Sequence, residues 1–340
     1  MTLSHSATPE LFYIPETMAD WPWPRVMNPH YKEVTAASSE WFRSFKPFNE
    51  KSQHAFDKGD FAKTNLNLSQ LFFVIDEYTD VEPEPVVRAM IDVVIDVLHN
   101  PHKPRPAGET VLGEITKQYW ERLLKVGTPE SARHFVESFT DYLESMVAQA
   151  ADRDSNSIRS VDAYIQNRRD NIGARPAFVP AELHLNIPDD AFYYPSIKEL
   201  EYLSADLIAL NNDILSYNRE QAAGNDRHNI VTVVMHQYNL PLPEAMQWVA
   251  KYIDGVKAKF LDTVKIVPSW GEEVDMQVAE YIDQLGNWPR ANYCWSFESA
   301  RYFGSKGLEV QKTRFVPLLP KAEQVGDLHG EKIVIPLVDL

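Results

Sequence analysis

"LNNDILSYNREQ", residues 210–221, decides how the rest of the chain is read. Leu210, Ile214 and Leu215 give it an apolar side with helical spacing, while Asn212, Ser216 and Glu220 recur at intervals of four. On an α-helix that interval stacks an amide, a hydroxyl and a carboxylate along one face, a turn apart. All three offer oxygen, the donor that hard divalent cations such as magnesium prefer. Alone, the stripe is equally a solvated polar face, so its meaning rests on what the rest of the chain supplies.

The helical period runs outward in both directions. "SQLFFVIDEY" (69–78), "VVRAMIDVVIDVLHN" (86–100), "TKQYWERLLKV" (116–126) and "SARHFVESFTDYLESMVAQAAD" (131–152) place apolar residues three and four apart. "IKELEYLSADLIALNNDILSYNREQAA" (197–223), "LPEAMQWVAKYIDGVKAKFLDTV" (242–264) and "VDMQVAEYIDQLGNWPRANYCWSFES" (274–299) do the same. Turn-rich breaks separate them: "NPHKPRPAG", "DRDSNS", "ARPAFVP", "NIPDDA" and "AAGNDRHN". No strand-period run is found before the tail, where "EKIVIPLVDL" (331–340) is β-favouring but holds a proline. The pattern predicts one all-α domain, a single helical bundle. Its parts would be an aromatic, proline-rich arm over 1–35, helices over 36–318 and a tail over 319–340.

At 340 residues, with 44% hydrophobic content, the chain can bury a sizeable core and is not low-complexity disorder. A formal charge of -16 with scattered basic residues argues against nucleic acid or an anionic membrane as main partner. The single cysteine, Cys294, excludes an intramolecular disulfide and points to a reducing compartment. "MTLSHSATPE" has neither a basic nor an apolar leader segment, and no run is long enough to span a bilayer. A cytoplasmic protein, monomeric or homodimeric, is the expectation.

A second oxygen-rich cluster stands at the end of "LFFVIDEYTD" (71–80). Asp76 and Asp80 are one turn apart, with Phe72 a turn earlier on the same face and Glu77 beside them. Acids at a helix C-terminus oppose the macrodipole, by a few tenths of a kcal/mol. Their grouping there is more natural if cations neutralise them. Carboxylates on one helix facing an oxygen stripe on another would hold cations with incomplete protein ligation, as a diphosphate substrate requires. Arginines suited to phosphate oxygens accompany both clusters: Arg168 and Arg169 in "YIQNRRDNIGARP", Arg219 before Glu220, and Arg301 beside Tyr302 in "WSFESARYF". Any one of them alone is better explained as a surface ion pair; the set together points to phosphate.

With "DEYTD", "NDILSYNRE", "RRDNIG" and "RY" in this order, and "WPWPRVMNPHY" at the start, the chain resembles the class I terpene synthases. More narrowly, it resembles the fungal, basidiomycete-type sesquiterpene synthases. The likeness covers nearly the whole chain, and the Asn-Ser-Glu motif is its most specific part. The family implies a single-domain helical bundle with a central active-site cavity and three Mg²⁺ ions, for which Mn²⁺ can substitute. It further implies Asp76 as a direct metal ligand supported by Asp80, and Asn212, Ser216 and Glu220 as the holders of a further ion. Arg169 would be the diphosphate sensor, with Arg168 the alternative; Arg219, Arg301 and Tyr302 would donate to the diphosphate. Asp76, Arg169 and Tyr302 would be catalytic. Phe72, Phe73, Gly173 and Trp295 would line the cavity, although each aromatic is equally a core residue. Glu77 departs from the commonest two-aspartate opening of the acidic motif, a variant found in the fungal group.

The resemblance implies ionisation of farnesyl diphosphate to an allylic carbocation and a cyclic, humulyl-derived sesquiterpene such as protoilludene. The alternative is an acyclic alcohol, nerolidol or linalool, from farnesyl or geranyl diphosphate. A chain-elongating prenyl transferase would carry a second Asp-rich motif where this chain has Asn212, Ser216 and Glu220. A non-catalytic helical scaffold has no reason to combine both oxygen clusters with arginines. Dispersed histidines exclude a zinc cluster or a Ser-His-Asp arrangement.

Overall fold

The computed structural model describes residues 11–48, 50, 53 and 66–321; residues 1–10 of the arm and the tail from 322, with "EKIVIPLVDL", lie outside them. The helices are α1 (Tyr31–Ser44), α2 (Leu66–Thr79), α3 (Glu84–His99), α4 (Val111–Val126) and α5 (Pro129–Asp154). They continue with α6 (Val161–Asn171), α7 (Ala174–Glu182), α8 (Asp189–Phe192) and α9 (Pro195–Ala223). The last are α10 (Ile230–Tyr238), α11 (Leu242–Lys265), α12 (Glu272–Glu298), α13 (Ala300–Phe303) and α14 (Gly307–Thr313). The fold is all-α.

The helix ends follow from local chemistry. α5 opens on a capping box in which Thr128 and Ser131 satisfy each other's backbone N–H groups, with Pro129 at the first helical position. α9 opens on Pro195 and closes on Gly224 in the left-handed region (φ 79°), so the 29-residue helix carrying the oxygen stripe has clear limits. α9 is buried on nearly every side, including Ser204, Asp206, Asn211, Asp213 and Ser216. A helix buried all round is the centre of a bundle.

Two apolar clusters flank it. One joins α9–α12 to the arm through residues such as Leu200, Ile214, Val249, Phe260 and Tyr281. The other joins α1–α5 through Leu71, Ile75, Ile91, Phe135 and Leu143. Trp288 and Tyr302 pack against both.

The arm is strapped to α12. Pro289 lies inside that helix and has no N–H, which frees the carbonyl four residues back. Ser204 Oγ donates to that Leu285 carbonyl at 2.7 Å, and Trp21 Nε1 donates to the next one, Gly286, at 2.8 Å. Gly286 has no side chain because Trp23 occupies the space: a Cβ there would lie 2.1 Å from the indole. Arg290 completes the strap by donating to the carbonyls of Trp23, Met18 and Trp21.

Two features differ from the sequence pattern. Leu11–Tyr13 (β1) pairs antiparallel with Phe315–Pro317 (β2), Phe12 opposite Val316. Three-residue strands some 300 positions apart are too short for a period-2 signal. "ARPAFVP", read as a break, forms most of α7, with Pro176 in its first turn, where no N–H is required, and Pro180 inside it.

Candidate active site

The acidic end of α2, the stripe of α9, the end of α6 and the short α13 converge: Asn212 bonds Arg168 and Tyr302, and the charges of Arg301, Arg168 and Arg219 act on Asp76. On the first wall Asp76 and Glu77 are half-buried, and Asp80 is the first residue past α2, its N–H donating to the Asp76 carbonyl at 2.9 Å. Asp80 is exposed at the rim, with the charges of Asp76, Glu77, Glu220 and Arg153 within reach. Burial raises the Asp76 carboxyl, opposed by the charges of Arg301, Arg168 and Arg219. The Asp80 carboxyl is raised by crowding among protein atoms, which its exposure weakens, then by Asp76 and Glu77; Glu220 on the facing wall adds to this and Arg153 opposes it. The two carboxylate walls therefore repel each other.

On α9, Asn212 joins three predicted elements. Its amide donates to the Tyr302 hydroxyl at 2.8 Å, and its carbonyl oxygen accepts from Arg168 at 3.0 Å. Ser216 is buried one turn further on. Glu220, half-buried two turns on, is raised by burial and by Asp213, against hydrogen bonds from Asn229 and Ser216 and the charge of Arg168. Arg219 is exposed at the rim, and its charge reaches Asp76 and Glu77.

The adjacent arginines of α6 part company. Arg168, with 12% of its side chain exposed, donates to Asp213 Oδ1 (2.9 and 3.2 Å), Asn212 (3.0 Å) and Asn171 (2.9 Å). Burial works against its charge, but Asp213, Tyr164 and Glu220 outweigh this and raise its pKa. Arg169, 34% exposed, turns away to a two-point pair with buried Asp206 (2.8 and 2.9 Å), with its guanidinium 5.6 Å from the Tyr202 ring centroid. It does not reach the stripe, because successive helical residues point about 100° apart.

The site's apolar side is aromatic. Phe73 stacks on Trp295 (centroids 6.3 Å) and lies under the Arg301 guanidinium (5.1 Å). Trp295 meets Tyr302 edge-on at 6.0 Å. Phe72 packs edge-on against Tyr142 (4.9 Å) and Phe139 (5.6 Å). Gly173, at φ 67°, faces Phe72 and Tyr142: a Cβ there would lie 3.5 Å from both rings. A polar hollow between His134, Arg175, Lys198, Glu201 and Tyr281 lies elsewhere, about 16 Å back along α9 from Asn212 at 1.5 Å per residue. Its charges pair internally, as Lys198 with Glu201 and His134 with Glu182.

Several residues here escaped the sequence reading. Asp213 accepts from Arg168, from Tyr164 Oη (2.5 Å) and from the Ile230 N–H (3.0 Å). Asn171 accepts from both Arg168 and His228, whose pKa is held well below the usual value by burial and then by Arg168. Tyr164 and Asn171 stand four before and three after Arg168, a helical adjacency that was readable once Arg168 was chosen.

Metal fit rests on the donor set: carboxylates, an amide and a hydroxyl, all oxygen, on two mutually repelling walls. Among the described residues no three carboxylate, histidine or cysteine side chains converge on one point as a chelating cage. Magnesium is held in just this way, by one or two carboxylates completed by substrate phosphates. The residues fit such ions.

An all-α bundle with these facing walls is that of a class I terpenoid synthase. The chain belongs to the terpene synthases: the family profile "Terpene synthase family 2, C-terminal metal binding" matches residues 67–258. Sesquiterpene synthase 14 of Postia placenta is 58% identical, over 98% of this chain and 100% of that protein. Delta(6)-protoilludene synthase 18 of the same fungus is 51% identical, over 97% and 99%. In fold, the crystal structure of linalool/nerolidol synthase from Streptomyces clavuligerus superposes with a TM-score of 0.70 at 21% identity, over 81% of this chain and 98% of that one. No helix of the described residues is long and apolar enough to cross a membrane.

Proposed function

We propose that this enzyme ionises farnesyl diphosphate and converts the resulting cation into a cyclic, humulyl-derived sesquiterpene such as protoilludene. The observation that carries the reading is the Asn212 side chain, bonded at once to Tyr302 and to Arg168, whose charge also acts on Asp76 of α2. In this reading Asp76 and Asp80 hold magnesium on one wall, and Asn212, Ser216 and Glu220 on the other, three ions in all. Such ions, when bound, neutralise charge on a departing diphosphate.

Arg168, in preference to Arg169, takes the role of diphosphate sensor, because it alone of the two reaches the stripe. Arg219, Arg301 and Tyr302 donate to the same group from the rim and from α13. The allylic carbon–oxygen bond breaks, its electron pair leaves with the diphosphate, and the carbon chain is left cationic. Phe72, Phe73 and Trp295 then exclude water and turn aromatic faces, with their negative quadrupole, toward that charge.

Cyclisation between the first and eleventh carbons, followed by proton loss, yields the hydrocarbon. Support for this product comes from the relative named as a protoilludene synthase. The test is gas chromatography with mass detection of products from farnesyl and geranyl diphosphates supplied separately. A cyclic hydrocarbon of fifteen carbons is expected from the first. A product dominated by nerolidol or linalool would overturn the cyclase reading.

A further inference from the structure

We propose that Asn229 is a positioning residue that aims the Glu220 carboxylate for cation binding, an inference that rests on the metal role given to Glu220 above. Asn229 follows the tight turn Asp226–His228 and is wholly buried. Both halves of its amide are used. Oδ1 accepts from the Val231 N–H at 2.9 Å and so caps α10. Nδ2 donates to the Asp213 carbonyl at 2.8 Å and to Glu220 Oε2 at 2.9 Å, with Ser216 Oγ at 3.5 Å.

The cap fixes which way round the amide sits. Turned over, it would set its NH₂ against the Val231 N–H, and both its other partners would lose their donor. The start of α10 is itself anchored, since the Ile230 N–H donates to Asp213 Oδ2 at 3.0 Å. The donor is thus held rigidly against residues 213, 216 and 220, two turns of the stripe. Glu220 has three rotatable side-chain bonds, and the amide holds one of its oxygens while leaving Oε1 for a cation. Outer-shell donors of this kind fix the orientation of ligating carboxylates.

The experiment follows free Mn²⁺ by electron paramagnetic resonance as the ion is titrated into full-length protein with inorganic diphosphate. Wild type is compared with Asn229→Ser, Asn229→Thr and Glu220→Gln. Serine and threonine keep a capping oxygen for α10 but remove the amide donor. Mn²⁺ affinity is expected to fall about 10-fold or more in both variants, measured well below melting, where each is folded even though losing the donor to the Asp213 carbonyl lowers its melting temperature. Wild-type affinity in both, alongside a loss in Glu220→Gln, would overturn the inference and leave Asn229 as a helix cap only. Wild-type affinity in Glu220→Gln as well would remove the metal role of Glu220, and the inference with it.

Discussion

Arg168 and Arg169 are neighbours in sequence with opposite duties, and the difference comes from the direction each side chain takes from α6. Arg168 is held by Asp213, Asn171 and Asn212, three acceptors that leave its guanidinium little freedom. Arg169 neutralises Asp206, which is 2% exposed and would otherwise be a buried lone charge. Arg168→Ala is therefore expected to lower kcat for diphosphate release by about 10²–10³-fold, the usual cost of losing a preorganised donor. Arg169→Ala is expected to leave kcat within about threefold and to cost about 2 kcal/mol in stability, because it strands Asp206. Steady-state kinetics and urea unfolding of the two variants check this; a larger kcat loss in Arg169→Ala would reverse the assignment. The stripe of α9 was legible because four-residue spacing survives into any helix. The choice between adjacent arginines was not, since it depends on which face of α6 packs inward. Asn229 was hidden for the same kind of reason: its partners are supplied by a chain reversal, not by spacing.

Among the elements, the junction of α3 and α4 shows how a charged clasp replaces an apolar contact. Asp96 accepts from Lys103 (2.9 and 3.1 Å), Arg105 (2.8 Å) and Asn100 (3.0 Å), while Arg105 also pairs with Glu109. Hydrogen bonds from Lys103 and then Arg105 lower the Asp96 carboxyl to about 2, from 3.8. A carboxylate depressed in the folded state contributes stability above its unfolded value, lost as pH falls through the folded one. Asp96→Asn is thus expected to destabilise the protein at neutral pH by about 1 kcal/mol, after allowing for partial exposure. The deficit should shrink as pH falls below about 4, and urea midpoints of both proteins across that range check it. A deficit independent of pH would mean that the clasp works by packing and not by charge. "NPHKPRPAG" was readable as a break here, but not as a clasp, since charge pairing needs coordinates. "ARPAFVP" shows the reverse limit: two prolines signalled a loop, yet a first-turn position and burial against α5 and α9 made a helix of it.

For the molecule as a whole, the two apolar clusters carry the carboxylate walls on α2 and α9, while α6 and α13 bring the donors Arg168, Arg301 and Tyr302 to them. Its bundle was legible because seven amphipathic periods recur along the chain. The β1–β2 pairing and the strap of Trp21 and Trp23 on α12 were not, because they join the two ends of the chain through a few residues each. Repelling walls with fixed guanidinium donors make chemical sense if a polyanion and its counter-ions bridge them. On the function proposed here, these residues ionise an isoprenoid diphosphate unaided by a second substrate. The direct measurement is diphosphate release from farnesyl diphosphate by the purified full chain, with and without Mg²⁺ and with and without isopentenyl diphosphate. Release that requires Mg²⁺, needs no isopentenyl diphosphate and disappears in Asn212→Ala is the expected result. No release, or release only when isopentenyl diphosphate is supplied, would contradict it.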